Sequence, residues 1–158
     1  MKKFIIPFLL LFIMSCYYTL ETTKLENVDS INIEGIENKT NEYRINEYLM
    51  NELTRIFVND SNLKLGKSGE NTADLNITIK EFNEEVVAID FNENPTSKKI
   101  IIRLKYLFKR EEEVIDENKD YVFEYNYVVE ANKNDDVYIQ EAMKNLAKNL
   151  KDQLVEGF

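Results

Sequence analysis

Cys16 is the only cysteine of this 158-residue chain, and its position predicts what its thiol does. Two lysines follow the initial methionine, about eleven apolar residues run from Phe4 to Met14, and the small Ser15 directly precedes the cysteine. This stretch is too short to span ~30 Å of hydrocarbon as a helix. A basic start, an apolar segment and a small residue before a cysteine are typical of a bacterial lipoprotein signal. We therefore predict a signal peptide at residues 1–15 and a lipid on Cys16.

An ordinary secretory signal, or a buried N-terminal helix with a chance cysteine, is the alternative interpretation of this segment. The position of the lone sulfur argues against both. Residues 17–29 show neither a helical nor a strand period, so we predict a lipidated tether at residues 16–29 and a single domain at residues 30–158. The predicted domain is long enough to bury a continuous core.

The charge balance of the chain bears on its partners. Removal of the predicted signal peptide takes two of the 20 basic side chains and none of the 29 acidic ones, which leaves a net charge of −11. The mean electrostatic field of such a chain repels phosphate-rich polymers. We therefore expect no nucleic-acid partner.

The usual catalytic groups are missing from the sequence. The chain has no histidine, its one cysteine is predicted to carry lipid, and it lacks a GxSxG motif, a glycine-rich phosphate loop and metal-ligand spacing. The acidic run Glu111–Glu113, with Asp116 and Glu117 nearby, is either a divalent-cation site or a solvated hairpin tip, and its like charges favour the tip. We expect no catalytic residue, no metal site, no cofactor and no enzymatic activity.

Hydrophobic periodicity predicts the elements that position these groups. Steps of three and four residues indicate two helices, and alternation indicates four strands. We expect a bulge at Gly35 and an N-cap at residues 134–136. The predicted elements are a strand at 30–37, a helix with a stripe from Ile45 to Phe57, strands at 73–91, 100–108 and 121–131, and a helix after Asp136.

The order β-α-β-β-β-α predicts an α+β fold, a two-layer sandwich in which a four-stranded sheet carries both helices on one face. The sheet is expected to be antiparallel or mixed, with a loop at 59–71 and a polar connection at 111–120. Apolar alternation continues through Val87, Ile89 and Phe91 at the end of the second strand. An aromatic stripe on the last strand is interpreted as core rather than as a binding platform: Tyr121, Phe123, Tyr125 and Tyr127.

Several short stretches resemble a known family over essentially the whole mature chain. They are Cys16-Tyr17-Tyr18-Thr19-Leu20, Ile33-Glu34-Gly35-Ile36-Glu37-Asn38-Lys39-Thr40, Thr72-Ala73-Asp74-Leu75, and Gln140-Glu141-Ala142 with Leu146, Ala147 and Leu150. This pattern is similar to that of the LptE family of lipopolysaccharide-assembly lipoproteins. The resemblance implies a similar fold, a lipid anchor on the periplasmic side of the outer membrane, and two partners. These are the outer-membrane β-barrel LptD, which the family plugs and helps to assemble, and lipopolysaccharide.

The resemblance also implies where lipopolysaccharide is contacted. In the family, basic groups that face the lipid lie at the turn between the second and third strands and at the connection into the last helix. The matching candidates are Lys98 and Lys99 at the turn and Lys133 at the connection. The alternative is that all three are ordinary solubilising lysines.

Other classes of lipoprotein remain open on sequence grounds. Outer-membrane lipoproteins that activate peptidoglycan synthases or build secretion channels share a similar β-α-β layout, and fold likeness alone does not separate them from the LptE family. A substrate-binding lipoprotein of a transporter is disfavoured because the chain is too short for two lobes. A hydrolase is disfavoured because histidine is missing.

Overall fold

Five strands and two helices form the described part of the chain, which comprises residues 28–60, 63–67, 69 and 71–156 of the computed structural model. In chain order they are β1 (Ser30–Asn38), α1 (Ile45–Val58), β2 (Lys64–Leu65), β3 (Thr72–Ile89), β4 (Pro95–Arg110), β5 (Glu113–Val128) and α2 (Asp135–Glu156). The α+β class and the two helices agree with the prediction. The strand count does not.

The strands form one mixed sheet in the order β2-β1-β3-β4-β5. β1 is parallel to both β2 and β3, whereas β3, β4 and β5 are consecutive antiparallel neighbours. The pairing register between β1 and β3 shifts between Ile33 and Gly35, which confirms the predicted bulge. Gly35 is the residue at which the chain interrupts its strict alternation, so the extra residue is accommodated there.

The prediction of a four-stranded sheet was wrong because β2 lies in the segment predicted to be a loop. Lys64 and Leu65 pair with Ser30 and Ile31, and the backbone N–H of Gly66 donates to the carbonyl of Ile31 at 2.8 Å. Two residues are too few to produce a visible alternation. The sequence therefore gives no local signal for this edge strand.

The predicted polar connection at residues 111–120 was also wrong. Only Glu111 and Glu112 form the turn, with Glu111 at φ 52°, and β5 begins at Glu113. In the first half of β5 the only apolar residues are the adjacent Val114 and Ile115, so this half lacks the alternation that marks a half-buried strand. Its side chains still bond to the neighbouring strand, since the Tyr106 hydroxyl donates to Asp116 at 2.7 Å. The acidic run is a hairpin tip, as predicted.

Both helices pack against each other and share one core with the apolar side of the sheet, in agreement with the predicted two layers. α1 buries the stripe Ile45, Leu49, Leu53 and Phe57. α2 buries the predicted stripe Ile139, Ala142, Met143, Leu146, Ala147, Leu150 and Leu154. The N-terminal end of α2 is capped by Asn134, whose Oδ1 accepts the backbone N–H of Val137 at 3.1 Å.

Neither helix in the described ranges combines the length and apolarity that crossing a bilayer requires.

Candidate functional site

The predicted lipid attachment site, Cys16, lies outside the described residues. The same is true of the signal peptide at 1–15 and of most of the tether at 16–29. These assignments, and the domain boundaries that follow from them, stay predictions.

Lys98 lies on β4 and is held by two carboxylates. Its Nζ is 2.6 Å from Oε1 of Glu84 on β3 and 3.8 Å from Oδ1 of Asp135 at the start of α2. Only 18% of the side chain is exposed. The hydrogen bond to Glu84 raises the pKa of Lys98, so the amine stays protonated and its charge is neutralised locally.

Lys133 lies in the connection from β5 to α2 and is also paired. Its Nζ is 2.9 Å from Oε1 of Glu130 and 3.5 Å from Oε1 of Glu141. It also lies 5.6 Å from the ring centroid of Tyr138, within cation–π range. The hydrogen bond to Glu130 raises the pKa of Lys133.

Two stacked tyrosines connect the surroundings of Lys98 with those of Lys133. The rings of Tyr127 and Tyr138 lie 4.1 Å apart at 20°, and both side chains are buried. The Tyr127 hydroxyl donates to Glu84 and the Tyr125 hydroxyl donates to Glu141, each at 2.9 Å. We call this group the lysine–tyrosine cluster: Glu84, Lys98, Tyr127, Lys133, Tyr138 and Glu141.

Sequence reasoning nominated only Lys98 and Lys133 of the lysine–tyrosine cluster as site residues, and Tyr138 and Glu84 show why others were missed. Tyr138 lies four residues before Ala142 on the apolar stripe of α2, so helical spacing carried a signal for it. Glu84 carried none, because only the register of β3 against β4 and β5 brings this polar residue beside Lys98 and Tyr127.

The third predicted lysine does not join this cluster. Lys99 follows Lys98 in the strand and therefore points to the opposite face of the sheet. There its Nζ is 3.6 Å from Glu85 and 3.5 Å from Glu124. The structure thus brings Lys98 and Lys133 together at the start of α2 and separates Lys99 from them. An anionic ligand at any of these lysines would compete with the carboxylates that already neutralise the amine.

Beyond Lys98 the β3–β4 hairpin extends past the helices, and we call residues 86–97 the arm. Its apolar side chains were predicted to continue the core-facing pattern, but they are uncovered. Val86 is 54% exposed, Val87 57%, Ile89 58% and Phe91 94%. The pairing register shifts between Val86 and Ala88, so strict alternation stops at Val87. Val86 opposes Lys98 and shares its face, while Val128 opposes Ser97 and is 67% exposed on the other face, so both faces are bare at the base of the arm.

The turn at the end of the arm is organised by Asp90. Its Oδ1 accepts the backbone N–H groups of Asn92 at 2.8 Å and of Asn94 at 2.9 Å. The backbone N–H of Asp90 donates to the carbonyl of Asn94 at 2.9 Å, and Glu93 adopts a φ of 64°. The hydrogen bond from the Asn94 backbone lowers the pKa of Asp90. This bonded turn holds Phe91 out into solvent.

A pocket of about 410 Å³ lies between the β1–α1 connection and β3. Lys39 and Lys80 line it, but each already has a partner. Lys39 lies 3.4 Å from Glu37, and Lys80 donates to the carbonyl of Lys119 at 2.6 Å. In the part of the chain that the structure describes, no three His, Cys, Asp or Glu side chains are grouped so as to hold a metal ion.

Neither a protein-family model nor a curated protein sequence matches this chain. Solved structures do. A hypothetical protein from Chlamydia trachomatis is 11% identical, covers 80% of this chain and 98% of that chain, and superposes with a TM-score of 0.54. Uncharacterized lipoprotein B from Nitrosomonas europaea is 8% identical, covers 81% of this chain and 83% of that chain, and has a TM-score of 0.52. At these identities the likeness shows the fold alone, and a bacterial lipoprotein is among the proteins that share it.

Proposed function

We propose that this protein is a lipid-anchored envelope lipoprotein that acts by binding a protein partner and catalyses no reaction. The predicted lipid on Cys16 supports the anchor, and the fold shared with a bacterial lipoprotein supports the class. The lack of histidine in the sequence supports a non-enzymatic role, because the commonest general base is missing.

The partner that we propose is the outer-membrane barrel LptD, which the protein plugs and helps to assemble. The observation that carries this proposal is the uncovered face of the sheet. Cross-strand ion pairs line it, including Arg103 to Asp120 at 2.7 Å and Lys99 to Glu124 at 3.5 Å. The lumen of a large outer-membrane barrel is polar and hydrogen-bonding. A charged, paired sheet face fits such a wall better than it fits lipid.

Lipopolysaccharide is the second proposed ligand, through Lys98, Lys99 and Lys133. A lipid phosphate would compete for these amines with carboxylates that hold them now, Glu84 in the case of Lys98. Charge-assisted hydrogen bonds to phosphate are stronger than neutral hydrogen bonds, so a phosphate can take the place of a carboxylate at a lysine. This exchange also predicts that binding weakens as the salt concentration rises.

Co-purification tests the barrel proposal. The full lipidated protein, extracted in detergent from its native membrane, should carry LptD in a one-to-one complex, and its depletion should lower mature barrel and surface lipopolysaccharide together. Recovery of a peptidoglycan synthase or a secretion channel in place of the barrel would instead favour the regulator class.

Charge variants test the lipopolysaccharide proposal. Lys98→Gln and Lys133→Gln remove charge without placing a further carboxylate beside Glu84 or Glu141, and Lys99→Glu reverses the third site. The triple variant should bind purified lipopolysaccharide more weakly and keep its barrel. Lys119→Glu is the matched control, because its side chain is 80% exposed near the middle of β5, away from the three lysines. Equal binding by all forms would remove these lysines from the contact.

Fatty-acid labelling tests the anchor. Cys16→Ala should abolish incorporation of a clickable fatty acid and release the protein from the membrane, because the substitution removes the only thiol of the chain. Undiminished labelling of the variant would contradict the lipoprotein assignment.

A further inference from the structure

The arm is the one part of the β3–β4 hairpin where apolar side chains lack a covering layer. In the core, the same alternation buries Ile100, Ile102 and Leu104 completely. On the arm, Ile89 and Phe91 are 58% and 94% exposed. Soluble domains rarely leave a contiguous group of large apolar side chains in water unless another molecule covers it.

The turn geometry shows that this exposure is built in. Asp90 accepts two backbone N–H groups and so fixes the turn from within. Phe91 is thereby presented on a preorganised loop, and preorganisation reduces the entropy that binding costs. A protruding aromatic side chain that a partner can bury is a common binding anchor.

We infer that the arm inserts into a concave apolar groove with a basic rim on the protein partner. Two features of the arm define this shape. Val86 opposes Lys98 and lies on the same face of the sheet, whereas Val128 opposes Ser97 at the base of the arm and lies on the other face, and both are exposed. A flat surface could cover only one of them, whereas a groove covers both. The arm carries two acidic residues, Asp90 and Glu93, and no basic one, which calls for positive charge around the groove.

The same observations disfavour two other occupants. An anionic bilayer would repel the acidic turn, and a second copy of the mature chain carries a net charge of −11.

This inference rests on the proposed function for the identity of the protein that carries the groove, namely the barrel partner. The experiment compares barrel co-purification by the full lipidated protein and by Phe91→Asp and Val87→Asp. Val114→Asp is the matched control, since Val114 is 55% exposed near the opposite hairpin. Thermal unfolding of each variant checks that the fold is intact, which we expect because these side chains are exposed.

We expect Phe91→Asp to weaken the barrel complex by at least about tenfold, Val87→Asp to weaken it less, and Val114→Asp to leave it unchanged. Equal capture by wild type and Phe91→Asp would overturn the inference while leaving the proposed function standing. Failure of the wild type to carry the barrel would overturn the proposed function itself, and the inference with it.

Two further measurements separate the other occupants. Binding to phosphatidylethanolamine–phosphatidylglycerol vesicles by the chain without its lipid, lost in Phe91→Asp, would assign the arm to the membrane. Self-association in sedimentation, lost in the same variant, would assign it to a second copy. Either result would overturn the inference, and we expect neither.

Discussion

In the half of the β3–β4 hairpin that the helices cover, Ile79 pairs with Leu104 and both side chains are fully buried. In the arm, Val87 and Ile89 continue an alternating apolar pattern, yet each is more than half exposed. The difference follows from length. The 18 residues of β3 extend roughly 60 Å, whereas the 22 residues of α2 extend about 33 Å. Alternation specifies the strand, and the length and placement of the helices decide which part of it is buried.

The comparison separates residues that fold the domain from residues that are free for binding. Burial of a large aliphatic side chain contributes about 1.5–3 kcal/mol to stability. The apolar side chains of the arm are exposed, so they lack most of that contribution to stability. Their presence is therefore better explained by a partner than by folding.

The sharpest test of this division compares Leu104→Ala with Val87→Ala. Leu104 is fully buried, so its truncation should leave a cavity and lower the free energy of unfolding by about 2–5 kcal/mol. Val87 is 57% exposed, and its truncation should change the same quantity by about 0.5 kcal/mol or less. Chemical denaturation of the two variants measures both values.

Equal losses in the two variants would contradict the comparison, because they would mean that the arm is packed in solution. Repeating the measurement at several protein concentrations would then show whether a second copy supplies that packing.

The sequence predicted which side chains form the core, but not how far along the β3–β4 hairpin the core extends. Leu146 and Leu150 were placed correctly because helical spacing is a local property of the chain. The exposure of Val87 depends on where α2 begins in space, which no local pattern encodes. β2 was missed for a related reason, since its two residues form a strand only through pairing with β1.

The candidate site was predictable in part. The last-helix cap at Asn134 followed from a local pattern, whereas Lys133 was nominated by the family resemblance. That Lys98 lies beside Glu84 and Asp135 depends on strand register and on the docking of α2, so the sequence could nominate the lysine and not its partners. Lys98 and Lys99 were assigned to a turn, which was wrong, because both lie within β4 and therefore point to opposite faces of the sheet.

Tyr127 lies at the boundary between the two halves of the hairpin and offers a smaller test. Its ring is buried against Tyr138, and its hydroxyl donates to Glu84 at 2.9 Å. Tyr127→Phe keeps the stack and removes the hydrogen bond, so we expect the free energy of unfolding to fall by about 1 kcal/mol. Tyr43→Phe, at a side chain that is 78% exposed, should have almost no effect.

Alkaline pH examines the same contact without mutation. Burial, followed by the hydrogen bond to Glu84, raises the pKa of the Tyr127 hydroxyl above its ordinary value. The resulting stability is fully present below the unfolded pKa of about 10 and is lost as pH rises toward the folded value. Wild type should lose stability from about pH 10 upward, and Tyr127→Phe should decline less steeply. Identical pH profiles would show that this hydroxyl is not held as described.

The smallest expected effect belongs to Asp90, because its turn is part of the arm and not of the core. The pKa of Asp90 is lowered by the backbone N–H of Asn94, so its contribution is present above the ordinary aspartate value of about 3.9 and is lost as pH falls through the folded pKa. Asp90→Ala, or acid below that pH, should remove exchange protection from the Asn92 and Asn94 amides. Global unfolding of Asp90→Ala at neutral pH should stay close to that of wild type, since the turn is exposed. If removing this carboxylate lowered global stability as strongly as Leu104→Ala does, the arm would belong to the folding core, and its apolar side chains would need no partner.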